Sequence, residues 1–207
     1  MVDRILTPSK SQIKRWAKLT MEKYRRRDGC FPAEGAKVVA ELLGSGRPLE
    51  ALLVQEEKID RWEPLLAGVP AGAGIYRIGA HQWDTLSQDG NPEGVMAVAV
   101  MAPPADPQSL PGAAGPLLLL HEISNPNNLG AVLRTADWFG FRTVLTSAGS
   151  VEATNPKVVR TSMGSLFHLT LVEGVDFERL LPRLRDRFRV VGSDVREGLP
   201  PHPCAAG

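Results

Sequence analysis

The segment Asn125-Pro-Asn-Asn-Leu-Gly-Ala-Val-Leu-Arg134 lies between an apolar run and a helix-forming stretch, and it holds the residues best able to act on a polar ligand. Asn125, Asn127 and Asn128 supply amides that tolerate turn geometry and can cap a helix, Pro126 fixes the loop, and Gly130 admits close backbone approach. Arg134 follows Asn128 by about one and a half helical turns. It sits in a helix whose N-terminus favours anions, so loop and guanidinium together could address one phosphate or ribose. An ordinary strand-to-helix turn would account for Asn-Pro-Asn-Asn alone; Arg134 is what adds chemistry.

Other constellations are weaker. Ala71-Gly-Ala-Gly74 meets Arg77 where a dinucleotide fingerprint needs its third glycine, and no phosphate-binding Gly-x-x-x-x-Gly-Lys-Ser/Thr occurs. His81, His121, His168 and His202 lack ligand spacing, so no metal is expected. Cys30 and Cys204 are too far apart in sequence to suggest a disulfide framework.

The elements that position the segment alternate between strand and helix. Ser9 or Ser11 caps a predicted helix running to about Arg26, with Ile13, Trp16, Ala17, Thr20 and Tyr24 on one face. After a turn-like Cys-Phe-Pro-Ala-Glu-Gly, a helix over Ala36–Leu43 is ended by Gly44 and Gly46. Strands are predicted at Ala51–Val54, Gly74–Ile78 and Val95–Val100, with a helix near Lys58–Ala67. The proline-rich stretch Met101 to Pro116 reads as a linker. Beyond it the pattern gives strands Leu117–Leu120, Phe141–Thr146, Leu166–Val172 and Arg189–Gly192, and helices Ala131–Phe139, Pro156–Ser165 and Asp176–Arg187. The expected fold class is α/β: a small α/β unit over 1–101, a linker over 102–116, and over 117–207 a parallel sheet flanked by helices, whose ligands gather at the strand ends.

The 207 residues carry a net charge of only +1, but the sign is unevenly distributed. Residues 1 to 27 hold nine basic side chains against two acidic ones, a segment of +7 that leaves −6 for the remainder. Such asymmetry is an electrostatic footprint for nucleic acid or simply a solvated basic helix face. Lys14, Lys18, Arg25, Arg26 and Arg27 are its candidate nucleic-acid contacts. No apolar run is long enough to span a membrane and no secretory leader is visible, which leads to the expectation of a cytoplasmic protein.

Asn125 to Gly140 resembles the first motif of the TrmH (SpoU) branch of the SPOUT class of RNA methyltransferases, and Asn155-Pro-Lys-Val-Val-Arg-Thr-Ser-Met-Gly164 is similar to the family's second helix. Lys23-Tyr-Arg-Arg-Arg27, Phe31-Pro-Ala-Glu-Gly35 and Pro92-Glu-Gly-Val95 are similar to the RNA-binding domain that often precedes it. The resemblance implies methyl transfer from S-adenosylmethionine to a ribose 2′-hydroxyl of ribosomal RNA, or secondly transfer RNA, by a knotted homodimer without metal. It assigns Asn128 and Arg134 to the catalytic centre and Arg160 and Ser162 to the RNA-facing side. Gly192 and Ser193, within Val190-Val-Gly-Ser-Asp194, would form one wall of the adenosine site.

The family's later Gly-x-Glu-Gly and Ser-Leu-Asn stretches are not present, so the trefoil knot and the cofactor pocket are expected to be incomplete in this chain. Truncation is the first explanation, a natural fragment retaining RNA binding the second, and completion by a partner chain the third. An apolar sheet edge, and with it poor solubility or non-native association, is expected. The competing function class is a non-catalytic RNA-binding module. A small-molecule α/β enzyme is disfavoured by the basic terminus.

Overall fold

The computed structural model describes residues 5–105 and 115–193. Arg4, most of the linker, Asp194, His202 and Cys204 lie outside the described residues. Two sheets are built. The first contains β1 (Ile5–Leu6), β2 (Cys30–Glu34), β3 (Leu49–Gln55), β4 (Gly74–Ile78) and β5 (Val95–Val100) in the order β1-β4-β3-β5-β2. It is mixed: β1, β4 and β3 run parallel, whereas β5 is antiparallel to both β3 and β2. The second contains β6 (Leu117–Leu120), β7 (Thr143–Ser147) and β8 (Thr170–Val175) in sequence order, all parallel.

Helices α1 (Lys10–Lys18), α2 (Glu22–Asp28), α3 (Ala36–Gly44), α4 (Glu63–Ala67) and α5 (Ala80–Leu86) accompany the first sheet. α6 (Pro126–Trp138), α7 (Pro156–Thr161) and α8 (Phe177–Arg185) accompany the second. One apolar cluster runs through both units, joining Phe31, Val39 and Leu42 to Leu129, Leu133 and Phe167. Phe31 stacks on Phe167 with ring centroids 6.3 Å apart. Arg47 donates across the seam to the carbonyls of Phe167 and Leu169, at 2.8 and 2.9 Å.

Several elements differ from the sequence reading, each for a local reason. The long first helix is two helices, because Met21 adopts extended backbone and the buried Arg25 guanidinium takes the Leu19 and Thr20 carbonyls, both at 2.8 Å. Those are carbonyls that a continuing helix would have bonded itself. The turn-like Cys-Phe-Pro-Ala-Glu is strand β2; it lies at the sheet's edge, where Pro32 costs no interior ladder bond. Residues 56–62 form two short 3₁₀ turns before α4, and α5 is a helix additional to those the apolar pattern predicts. Leu166 and Phe167 are apolar because they pack between the units in a 3₁₀ turn, so the third strand of the second sheet starts only at Thr170. Arg189–Gly192 makes no ladder, and Val190 and Val191 are exposed instead.

Candidate active site and nucleic-acid interface

α6 begins earlier than its apolar pattern suggests. Asn125 is the N-cap, Pro126 takes the first helical position, and the Asn125 side chain accepts from the backbone amides of Asn127 and Asn128 at 2.8 and 3.4 Å. Those amides are therefore committed to the cap rather than open to an anion. The preceding loop is tied to the end of β7. Glu122 N–H donates to Ser147 Oγ at 2.8 Å, Ile123 N–H to Ser150 Oγ at 3.2 Å, and Val151 N–H to the Ile123 carbonyl at 2.8 Å.

Leu129, Leu133 and Ala136 form the buried face of α6. On the open side Asn127, Ala131, Arg134 and Trp138 follow one another at spacings of four and three, a continuous stripe along the helix. Asn127 Oδ1 accepts from Thr161 Oγ1 at 3.3 Å. Arg134 is exposed and makes no ion pair or hydrogen bond among the described residues. Asn128, six residues before Arg134, is exposed but falls away from that stripe. Asn127, read from the sequence only as a turn and capping amide, is the asparagine that shares the Arg134 stripe, and its seven-residue spacing to Arg134 was available as a signal. Gly130 does permit a close approach, but to α7: a Cβ there would lie 2.7 Å from the Thr161 Cβ and 2.9 Å from the Val158 carbonyl oxygen.

Arg134 and Trp138 border a cleft of about 760 Å³ whose opposite wall is Lys37 and Glu41 of α3. His168 spans the cleft, with Nε2 3.2 Å from Glu41 and Nδ1 3.1 Å from Asp137. Gly164 permits this closeness of the units, since a Cβ there would lie 2.4 Å from the Glu41 Cβ and its φ is +91°.

The basic terminus divides into free and committed charges. Lys10, Lys14 and Lys18 line a groove of about 490 Å³ between α1 and α5, together with Met21, Gln82 and Thr85. A four-residue repeat sets these ammonium groups about 6 Å apart along the axis. Lys18 also lies 5.1 Å above the Tyr24 ring. Arg26 pairs with Glu22 at 2.7 Å on the exposed surface, and the exposed Arg27 pairs at 2.6 Å with Asp28, whose side chain is largely enclosed. Arg25, expected as an RNA contact, is 1% exposed and pairs with Glu152 of the second unit. Ser162, expected on the RNA-facing side, is fully buried and donates to the Val159 carbonyl at 2.8 Å. Arg160 is half-buried and pairs with Asp89 at 3.2 Å, a contact between the two units.

Gly192 and Ser193 line a different cavity, of about 990 Å³, along the side of β6 that has no strand partner among the described residues. Its walls are the four leucines of β6, Phe177, Leu181, Leu184 and Phe188. This volume and an apolar wall beside unpaired strand backbone fit the adenine of S-adenosylmethionine. No carboxylate lines the cavity among the described residues, so neither the ribose diol nor the sulfonium has an anionic anchor there. The described residues fit the adenine end of the cofactor and not the methionine end.

Residues 116–204 match the SpoU rRNA methylase family model, and residues 10–97 match the MRM3-like substrate-binding domain. The chain is 28% identical over 192 residues to the 23S rRNA guanosine 2′-O-methyltransferase RlmP of Bacillus subtilis, spanning 93% of this chain and 71% of that protein. It is 26% identical over 181 residues to the mitochondrial rRNA methyltransferase 3 of Mus musculus, covering 83% of this chain but 41% of the mouse protein. The fold is that of the SpoU methyltransferase AviRb from Streptomyces viridochromogenes, solved in complex with AdoMet, with a TM-score of 0.74 at 23% identity, covering 86% of this chain and 68% of that one.

Proposed function

From the premise that the chain belongs to the SpoU (TrmH) family of RNA methyltransferases, we propose that it transfers a methyl group from S-adenosylmethionine to a ribose 2′-hydroxyl of ribosomal RNA. Transfer RNA is the second substrate class. In this reading residues 1–101 hold the RNA, 102–116 link, and 117–207 carry the reaction, in a cytoplasmic homodimer. The observation that carries it is the unpaired Arg134 at the mouth of a cleft shared by the unit matched to a substrate-binding domain and the unit matched to a methylase.

When bound, S-adenosylmethionine supplies a methyl group already activated by its sulfonium, so the protein's own work is positioning and charge management. The Arg134 guanidinium stays protonated in nearly all protein settings, which makes it a poor base. It acts as a cationic donor to the 2′-oxygen as that oxygen loses its proton to water, or it pins the adjoining phosphate. Asn128, in the first turn of the same helix, supports the active site, and Asn127 lies on the Arg134 stripe. Gly192 and Ser193 would hold the adenine end of the cofactor, and Lys14 and Lys18 hold the RNA backbone, with Arg26, Arg27 and Arg160 contributing where their local carboxylates release them.

Transfer of labelled methyl groups to ribosomal RNA tests the reading. Arg134→Ala is expected to lower transfer about 100-fold or more while RNA affinity stays within a few-fold. Equal loss of both would put Arg134 on the binding side. The absence of a carboxylate from the described cavity wall favours a second reading, a module that binds RNA without the cofactor. Calorimetry with S-adenosylmethionine separates the two: micromolar binding supports the enzyme, and RNA binding without cofactor binding supports the module.

A further inference from the structure

Trp138 is 86% exposed at the end of α6, whereas Trp16 and Trp83 are buried and Trp62 is half-buried, donating to the Glu93 carbonyl. An indole bears a large apolar face, and leaving it in water is costly unless something covers it. It stands one helical turn beyond Arg134 and on the same stripe. Phe139, 73% exposed, follows it, and Met163, with φ of +53°, faces the same cleft.

The charges around this aromatic are not balanced. Glu41 is engaged by Lys37 and His168, and Asp137 by His168 and Arg142. Both cleft carboxylates are thus already committed to cations, and Arg134 remains as the uncompensated charge of the cleft among the described residues. Thr135, Thr161 and Ser165 line the same cleft, so the exposed ring has hydroxyls and the Arg134 guanidinium beside it, a mixed surface able to stack a base and hydrogen-bond its sugar or phosphate.

We infer that the cleft between α3 and α6 receives a single-stranded RNA nucleotide whose base stacks on Trp138 while Arg134 meets its ribose or phosphate. Base-on-aromatic stacking tolerates any base, so this contact supplies affinity and orientation without reading sequence. The inference rests on the proposed RNA function and deepens it by assigning a base-stacking residue, Trp138, and a wall, Lys37, contributed by the other unit. The cleft's volume, about 760 Å³, lies in the range that holds a ligand of nucleotide size.

The test uses the whole chain with a short fluorescein-labelled single-stranded oligoribonucleotide and, in parallel, an abasic ribose-phosphate strand of the same length. RNA is expected to quench tryptophan fluorescence in the unmodified protein. Trp138→Ala should remove that quenching and weaken oligoribonucleotide binding about tenfold, with no effect on the abasic strand. Trp138→Phe, which keeps a stacking face, should restore most of the affinity. Because Trp138 is exposed, the alanine variant should melt like the parent. Unchanged affinity and persisting quenching in Trp138→Ala would overturn the inference and leave the methyltransferase reading standing. A variant that alters sedimentation of the free chain but not RNA affinity would assign this face to a second copy of the chain instead. Failure of the unmodified protein to bind any RNA would remove both.

Discussion

Arg25 and Arg134 are both helix residues in segments that point to nucleic acid, yet their surroundings differ completely. Arg25 is enclosed, satisfies two carbonyls at the break between α1 and α2, and reaches Glu152 on the far side of the unit boundary. Arg134 stands on the open face of α6 with no partner among the described residues. The same guanidinium is a staple in one place and a free donor in the other. A positive segment therefore cannot be converted into a binding surface by counting charges; what matters is which charges have already been used in folding.

The sharpest way to break the contrast is to remove the staple. Arg25→Ala would strand a carboxylate that is mostly enclosed and two helix-end carbonyls, and the loss of one partner of a buried pair costs ~3–5 kcal/mol. Chemical denaturation is expected to give a loss of that order. In the double variant with Glu152→Ala the combined loss should be smaller than the sum of the two single losses, because each single change leaves the other's charge uncompensated. A loss for Arg25→Ala below 1 kcal/mol ~ the value typical of an exposed pair ~ would mean that Arg25 is available to RNA after all.

The free charges answer in a different measurement. Lys14→Ala and Lys18→Ala are each expected to weaken RNA binding a few-fold at low salt, and to reduce the slope of log affinity against log salt by about one unit, with little change in melting. Lys14 should show the cleaner effect, since Lys18 also sits over the Tyr24 ring. Arg26→Ala should do less, because Glu22 already holds its guanidinium. If Arg26→Ala matched Lys14→Ala, local ion pairing would not distinguish used from unused charge.

Much of the fold was legible because it rests on periodicity. The strands at Gly74–Ile78, Val95–Val100 and Leu117–Leu120 and the helix from Ala36 follow apolar patterns that local physics enforces. Failures came where a tertiary partner overrides the local signal. Pro32 looks like a turn until it is seen at a sheet edge, and Leu166 and Phe167 look like strand until they pack between the two units. The candidate catalytic segment stood out by its motif, but its helix begins at Pro126, which places Asn127 on the Arg134 stripe. The burial of Arg25 and Ser162 was not legible, because one-dimensional sequence carries no record of it. Trp138 raised no signal because an aromatic in a helical pattern is ordinarily core.

Arg15 provides the mildest test, being intermediate between the two arginines. Its Nη1 and Nη2 donate to the two oxygens of Glu50 at 2.6 and 2.8 Å, and its Nε reaches Asp28 at 3.2 Å. The indole of Trp16 also donates to Glu50, at 3.2 Å. The hydrogen bonds from Arg15 hold the Glu50 carboxyl below its ordinary range, outweighing a burial effect of opposite sign. A carboxyl whose folded-state pKa is depressed stabilises the fold above its unfolded value, about 4.3, and that contribution fades as the pH falls through the folded value. Glu50→Gln should therefore flatten the acid limb of the stability curve. Since both partners are about a third exposed, the loss at neutral pH is discounted for solvent screening to ~1 kcal/mol. The neighbouring Cys30 gives an independent reading: burial foremost, then the Glu50 charge, pushes its thiol up to about 11. Neutralising Glu50 should bring that value down and quicken thiol labelling at alkaline pH. If labelling and the acid limb both stay as they are, Arg15 is as free in solution as Arg134, and the basic terminus has more charge to offer RNA than its ion pairs suggest.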